Sequence, residues 1–356
     1  MARLHLLRRR TRGGLLPLAV CGALLLTGCS AAAGEDGGSG GAEPGGPGPA
    51  SALPVPRGDG GELPDDFNGD GLRDLVLNDL VKDPRDSHGD DAGIGIVYGT
   101  AGPRALNPAV NRLLTARANA AEVGGVIPAA FDARVSCDLD RDGFADLVVT
   151  TDPPYGGKGR PPVPLQLLFG SPAGLAGKAV VLRIPEKARY GNDWPDHPVC
   201  GDFDGDGDAD LAVTASDGRI GFLGGPFTRE GAPRTAATVV EGGGPALSAP
   251  FRKPDQDGDG HDDLVVTDRP PVPGAAVKGT LLRGGPDGPA GKGTPYRAKA
   301  LPLPAAGDVL RYADFDGDKR PDVVLRTHQG DRTDTVSLYG ADGSPLVTFS
   351  TALFLP

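Results

Sequence analysis

Asp202-Phe203-Asp204-Gly205-Asp206-Gly207-Asp208-Ala209-Asp210, running straight into Leu211-Ala212-Val213, decides how the chain is read. Acidic side chains fall at positions 1, 3, 5 and 9 of this stretch, and a glycine sits at position 6. Ca2+ is a hard cation that takes about 6–8 oxygens at roughly 2.3–2.6 Å. A chain supplies them by curling round the ion with alternate side chains turned inward. Asp202, Asp204 and Asp206 are expected to give carboxylate oxygens, Asp208 its backbone carbonyl, and Asp210 a last carboxylate that can offer both oxygens. Gly207 allows the sharp turn, because without a Cβ it adopts φ > 0 at no steric cost.

The same register recurs four more times. By position 1, 3, 5, 7 and 9, the other expected ligand sets are Asp66, Asn68, Asp70, Leu72 and Asp74; Asp138, Asp140, Asp142, Phe144 and Asp146; Asp255, Asp257, Asp259, His261 and Asp263; and Asp314, Asp316, Asp318, Arg320 and Asp322. Position 7 would contribute only its carbonyl, whatever its side chain. The loop starts are 72, 64, 53 and 59 residues apart, and each loop feeds an apolar run such as Leu147-Val148-Val149 or Val323-Val324-Leu325. Five copies in one register, each entering a strand-like run, are not what an Asp- and Gly-rich composition throws up by chance. Up to five Ca2+ ions are expected. The Asp314 loop should bind most weakly, since Lys319 stands where the other loops carry glycine.

The chain has 356 residues, with 57 Gly, 36 Pro and only 5% aromatic side chains, so Leu, Val and Ala must build the core between many turns. A formal net charge of −11 argues against nucleic-acid binding through phosphates. Residues 1–28 read as an export signal: Arg3, Arg8, Arg9, Arg10 and Arg12 precede an apolar stretch, Leu15 to Leu26, too short to span a bilayer. Leu26-Thr27-Gly28-Cys29 resembles the lipobox of bacterial lipoproteins, which implies lipidation of Cys29 and anchoring outside the cytoplasm at the cell membrane. Residues 29–62, rich in Gly and Pro and poor in large apolar side chains, are expected to form a disordered tether. Such a tether spans roughly 30 Å as a random coil.

From residue 63 to 356 each unit repeats one plan. After the loop and its apolar run comes a variable segment. A second run ending in Gly follows, such as Leu165 to Gly170, then a turn and a further short run. The run after each loop is apolar at successive positions, which implies a strand covered on both faces. Four-stranded units repeated at this period and buried on both faces imply a β-propeller. The loops, together with Phe169-Gly170-Ser171-Pro172, resemble the FG-GAP/VCBS repeats of integrin α-subunit propellers and of bacterial surface proteins. That resemblance implies an all-β propeller with calcium in its loops, acting as an adhesion or ligand-binding module. The integrin propeller has seven blades. Here five repeats are visible, and seven would leave only 42 residues each, so five blades are favoured. Little chain precedes Asp66 to supply a first strand, and the tail Leu346–Leu355 is expected to pair there and fasten the ring.

Strand alternation puts the acidic loops and the strand 3–4 turns on one face, and the 2–3 and 4–1 connections on the other. Loop and strand lengths are constant, so the length variation falls in the 2–3 connections. The ligand surface, for a protein or a glycan, is expected there, with Tyr155, Arg160, Tyr190, Trp194, His197 and Arg269 as candidates. Trp194 has a second reading, as a residue packing on its own blade. Cys137 and Cys200 both precede loops. Export permits a disulfide, while their one-residue offset could aim them to opposite faces, and the sequence leaves both outcomes open. No Ser/His/Asp spacing, zinc motif or phosphate loop stands out, so no catalytic residue is named. The alternative to a binding module is a propeller enzyme, a lyase or hydrolase acting on extracellular polysaccharide or lipid. FG-GAP repeats also occur beside a separate catalytic domain in a glycosylphosphatidylinositol-specific phospholipase D.

Overall fold

Each apolar run after an acidic loop becomes a strand of an antiparallel sheet, the second strand in four sheets and the first in the sheet of Leu75–Leu77, and burial on both sides explains its uniform composition. In the computed structural model Leu147, Val148 and Val149 are all buried, as are Leu211, Ala212 and Val213. The structure describes residues 52–355 except 90, 153–164, 237, 238, 241, 242, 252 and 330–332. The signal sequence, Cys29, Tyr155 and Arg160 lie outside the described residues.

Five sheets follow one another as the blades of a five-bladed β-propeller. The first has three strands, β1 (Leu75–Leu77), β2 (Ile94–Gly99) and β3 (Leu106–Leu114). The second has β4 (Ala130–Cys137), β5 (Asp146–Asp152), β6 (Leu165–Leu168) and β7 (Val180–Val181). The third has β8 (Val199–Gly201), β9 (Asp210–Thr214), β10 (Ile220–Leu223) and β11 (Val239–Val240). The fourth has β12 (Ala246–Ser248), β13 (Leu264–Thr267), β14 (Val277–Arg283) and β15 (Ala290–Ala298). The fifth has β16 (Asp308–Ala313), β17 (Asp322–Gln329), β18 (Thr333–Tyr339) and β19 (Pro345–Ser350). Within each sheet the strands lie in chain order and every neighbouring pair is antiparallel; in the four-stranded blades the acidic loop joins strands 1 and 2, while the Asp66 loop leads directly into β1. Among the described residues helix is confined to single turns, such as α1 (Ala116–Asn119) and α2 (Glu186–Arg189).

Two details depart from expectation. The tail does not complete the first blade. Pro345–Ser350 is the fourth strand of its own blade, in register with β18 from Thr335↔Ser350 to Tyr339↔Pro345. Blade one keeps three strands. Ring closure falls instead to the 3-10 turn Thr351–Phe354, whose Phe354 is buried with Leu75, Leu77, Leu80 and Val97 of blade one. The second departure lies at the end of the expected tether. The Gly58 N–H donates to Asn68 O (3.0 Å), Gly60 N–H to Gly69 O (3.0 Å) and Gly61 N–H to Gly143 O (2.7 Å). This stretch has no apolar side chains to bury, so composition reads it as unstructured. Backbone pairing orders it, and glycine is what allows the approach: a Cβ at Gly58 would lie 1.9 Å from Gly69 O.

Four apolar clusters fill the seams between blades one and two, two and three, three and four, and five and one. Among the described residues none spans blades four and five. The side chain at loop position 2 plugs the seam to the next blade as Phe67, Leu139, Phe203 and Phe315, all buried, whereas its counterpart in blade four is the exposed Gln256. Blade five turns Val336, Leu338 and Phe349 toward blade one. Side chains alternate along a strand, so Thr335 and Ser337 face the other way, toward blade four. The fourth seam is crossed by an edge-on contact of Phe251 with Tyr312, centroids 6.2 Å apart, and Phe251 is held within blade four by its backbone N–H donating to the Tyr296 hydroxyl at 2.7 Å.

Candidate metal centres

The five acidic loops share one internal hydrogen-bond scheme. The position-1 carboxylate accepts the position-6 N–H: Gly71 to Asp66 at 2.8 Å, Gly143 to Asp138 at 2.8 Å, Gly207 to Asp202 at 3.1 Å, Gly260 to Asp255 at 3.2 Å, and Lys319 to Asp314 at 2.9 Å. The position-5 carboxylate accepts the position-7 N–H, from Leu72, Phe144, Asp208, His261 and Arg320. Position 6 is left-handed throughout, with φ of 81° at Gly71, 88° at Gly143, 86° at Gly207, 94° at Gly260 and 64° at Lys319. Position 4 is left-handed too. It is a glycine in four loops and Arg141, at φ 61°, in the other, a second strained position that the sequence reading passed over.

Position 9 carries a further task. The Asp210 Oδ2 accepts the Phe203 N–H (2.9 Å) and its Oδ1 the Gly225 N–H (2.9 Å), so one buried carboxylate ties the start of its loop to the end of strand 3. The pattern repeats at Asp74 with Phe67 and Gly99, at Asp146 with Leu139 and Gly170, and at Asp263 with Gln256 and Gly284. This is the physical reason strand 3 ends in Gly: a Cβ at Gly225 would lie 2.3 Å from Ala209 O. In the Asp314 loop, Asp322 binds the Phe315 N–H, but its Oδ1 is buried without a hydrogen-bond partner.

Four loops gather three carboxylate oxygens within 4.8 Å of one another: Asp138, Asp140 and Asp146; Asp202, Asp204 and Asp206; Asp255, Asp257 and Asp259; Asp314, Asp316 and Asp322. In the Asp66 loop, Asn68 takes the third place and its Nδ2 donates to Asp70 (2.9 Å) and to Pro56 O (3.0 Å). Several ligand-position oxygens are buried without a hydrogen-bond partner: Asn68 Oδ1, Asp140 Oδ1, Asp202 Oδ1 and Asp322 Oδ1. Burial raises the proton affinity of several loop acids. It pushes Asp146 up to about 8, Asp210 to about 7 and Asp322 to about 6, and it also raises Asp66, Asp138, Asp140 and Asp204. Neighbouring acids add to the effect, as Asp142 does for Asp140 and Asp206 for Asp204.

The loops interlock across the first three seams. The Ala145 N–H donates to Asp66 O (3.0 Å), Ser171 N–H to Phe67 O (3.1 Å), Phe227 N–H to Leu139 O (2.6 Å) and Asp262 N–H to Asp202 O (2.8 Å). Basic side chains that the sequence reading had not connected to the loops reach into them. Arg229 pairs with both Asp140 and Asp142, Arg234 with Asp206, Arg141 with Asp208 (2.9 Å), and Arg283 with Asp257 (2.6 Å). Only an arginine written many residues away could have signalled this, and its spacing carries no motif.

Just before two of the loops, Cys137 and Cys200 are joined by a disulfide with their Cα atoms 6.4 Å apart. The one-residue offset is present, since Cys137 pairs with Asp146 but Cys200 with Leu211. It does not part the two sulfurs, because they sit on first strands of adjacent blades and not on one sheet. Both cysteines line an axial cavity of about 1250 Å3, with Arg73, Arg311, Phe251 and Tyr312 also on its wall. On the face away from the loops, Tyr190 is exposed and the Arg219 guanidinium lies 4.7 Å from its ring centroid. Trp194 is half-buried in the same 4–1 connection, with its backbone N–H donating to Asn192 Oδ1 at 2.8 Å. His197 is half-buried beyond it, and Arg269 is exposed on the 2–3 connection of blade four.

No protein-family model matches the chain, and no curated protein matches it. A solved structure of BBS1N in complex with ARL6DN, soaked with lead, is similar over 85% of this chain and 83% of that chain, at 13% identity and a TM-score of 0.24. A likeness at that level carries no argument about what this chain does.

Proposed function

We propose that the propeller is a calcium-stabilised, non-enzymatic binding module of the FG-GAP/VCBS kind, exported and tethered to the membrane through a lipidated Cys29. The observation that carries the calcium reading is the set of buried ligand-position oxygens lacking a hydrogen-bond partner, inside loops that crowd carboxylates together. A buried, unpaired carboxylate oxygen is costly, and a divalent cation would remove both that cost and the repulsion around it. Asp140, Asp202 and Asp322 would hold the ion in their loops, Asn68 in the first. The propeller fold itself supports a ligand-binding or protein-interaction role. We infer that its ligand surface is the face away from the loops, where Tyr190, Trp194 and His197 share one connection.

Calorimetric titration of the metal-stripped protein with Ca2+ tests the first part. Saturable binding at several sites and a rise in Tm are expected, and a Tm indifferent to EDTA would refute it. Screening the domain against glycans and extracellular proteins, with and without EDTA, tests the second part. Once a ligand is found, Trp194→Ala should weaken it by about 1–2 kcal/mol at unchanged Tm. Cys29→Ala should release the protein from membranes, and unchanged fractionation and mass would end the anchor reading.

A further inference from the structure

The acidic loops are not alike in how their charge is balanced. Three observations single out the Asp138 and Asp202 loops. First, one turn serves both. The strand 3–4 turn of blade three, closed by the Gly224↔Thr235 bridge, carries Arg229 back across the seam to Asp140 and Asp142, and Arg234 to Asp206 with Asp204 at 3.9 Å. Each guanidinium thus addresses positions 3 and 5 of a loop, two of the side chains that would face a metal. Second, Arg229 is held in place from behind, with its guanidinium carbon 4.6 Å from the Phe169 ring centroid. The turn is fixed too, by the buried Phe227 with its N–H on Leu139 O, and by the Arg183 N–H on Gly231 O at 2.8 Å. Third, the pairing is incomplete. The Asp140 side chain is only 6% exposed, yet its Oδ1 has no hydrogen-bond partner beside the oxygen that Arg229 takes.

Among the described residues no other loop is served in this way. The Asp66 loop receives no arginine from another element. The Asp255 loop receives Arg283 on one carboxylate. The Asp314 loop has only its own Arg320, 3.8 Å from Asp318.

We propose that Arg229 and Arg234 are tethered cations that occupy these two loops in exchange with calcium. A guanidinium carries one charge and its planar fork satisfies two carboxylates, so it keeps the loop folded when metal is scarce. It cannot supply the two charges or the spherical coordination that the full acid set is shaped for. Ca2+ entering the loop takes over Asp140 and Asp142, or Asp204 and Asp206, and the arginine leaves to solvent. Because the turn is anchored through Phe227, the side chain swings out while the backbone stays. Binding at these two loops therefore costs the broken ion pairs and is weaker than the same acid set would give alone. The outward swing places two freed guanidinium groups on the rim of blades two and three only when calcium is bound. This inference rests on reading the loops as calcium sites.

The test compares wild type with the Arg229→Gln/Arg234→Gln double variant, using CaCl2 alone as the probe. Two sites of the calorimetric isotherm should tighten by about tenfold in the variant, and their salt dependence should change. A second measurement needs no variant: the Arg229 Nε–H signal in NMR should be protected in EDTA and lose that protection on calcium addition. Calcium binding to wild type with an unchanged variant isotherm and an Nε–H that stays protected would overturn the exchange and leave the calcium reading standing. Failure of both proteins to bind calcium would overturn both. If the double variant does not fold, the NMR result on the wild type decides alone.

Discussion

Asp210 and Gly225, 15 positions apart, are joined by a 2.9 Å hydrogen bond from the glycine N–H to Oδ1 of the aspartate. The other oxygen of Asp210 holds the Phe203 N–H, and the side chain is fully buried. Losing the carboxylate strands two buried donors, at about 1–3 kcal/mol each. Asp210→Ala is therefore expected to cost about 2–6 kcal/mol in urea unfolding performed in EDTA, where metal plays no part. Asp210→Asn keeps one acceptor oxygen and should cost less. Equal, small losses for both would show that the clamp contributes nothing.

The metal-free protein should become less stable as pH rises. Burial raises Asp322, Asp210 and Asp146 to about 6, 7 and 8, against 3.8 for an ordinary aspartate carboxyl. The folded state then binds protons that the unfolded state has already released. Their contribution is fully present below the ordinary value and is lost as pH climbs through about 4 to 8. With EDTA present, Tm should fall between about pH 5 and pH 8. With calcium present the trend should reverse, because the ion binds only the deprotonated acids. Scanning calorimetry across that range in both conditions checks the sign.

Lys319 adopts φ 64° where the other loops have glycine. A side chain in that conformation costs about 1–2 kcal/mol. Lys319→Gly should raise stability by about 1 kcal/mol and strengthen calcium binding at the Asp314 loop. An unchanged isotherm would refute the link between strain and affinity.

The disulfide between Cys137 and Cys200 closes a sequence separation of 63 residues. Removing it as the Cys137→Ala/Cys200→Ala pair should cost about 2–4 kcal/mol. Non-reducing peptide mapping establishes the bond, and melting with and without reductant measures its worth.

Much of this molecule was legible in the chain because its repeats are written in side chains that act locally. The spacing of the loops and the apolar runs behind them, Leu147-Val148-Val149 for one, give blade number, strand order and faces. The tail was harder to place. Pro345–Ser350 pairs with β18 in a hairpin, while Phe349 and Phe354 pack toward blade one, and nothing in the pattern separates a strand that closes its own sheet from one that closes the first. The second duty of Asp210 was hidden for another reason: a metal ligand and a backbone clamp call for the same residue. Arg229 and Arg234 were invisible because their partners lie 87 and 28 positions away. The contrast of Gln256 with Phe67, Leu139, Phe203 and Phe315 was present in the loops, and only the seams explain it.

The polar fourth seam gives the ring a natural point of severance. The linker 299–307 that crosses it is mostly exposed, and blade five stays docked on blade one through Phe354, Val336 and Leu338. New chain termini placed there by circular permutation, with the old ones joined by a flexible peptide, would leave every apolar cluster intact. The same linker is where a protease would nick the native protein without releasing either fragment.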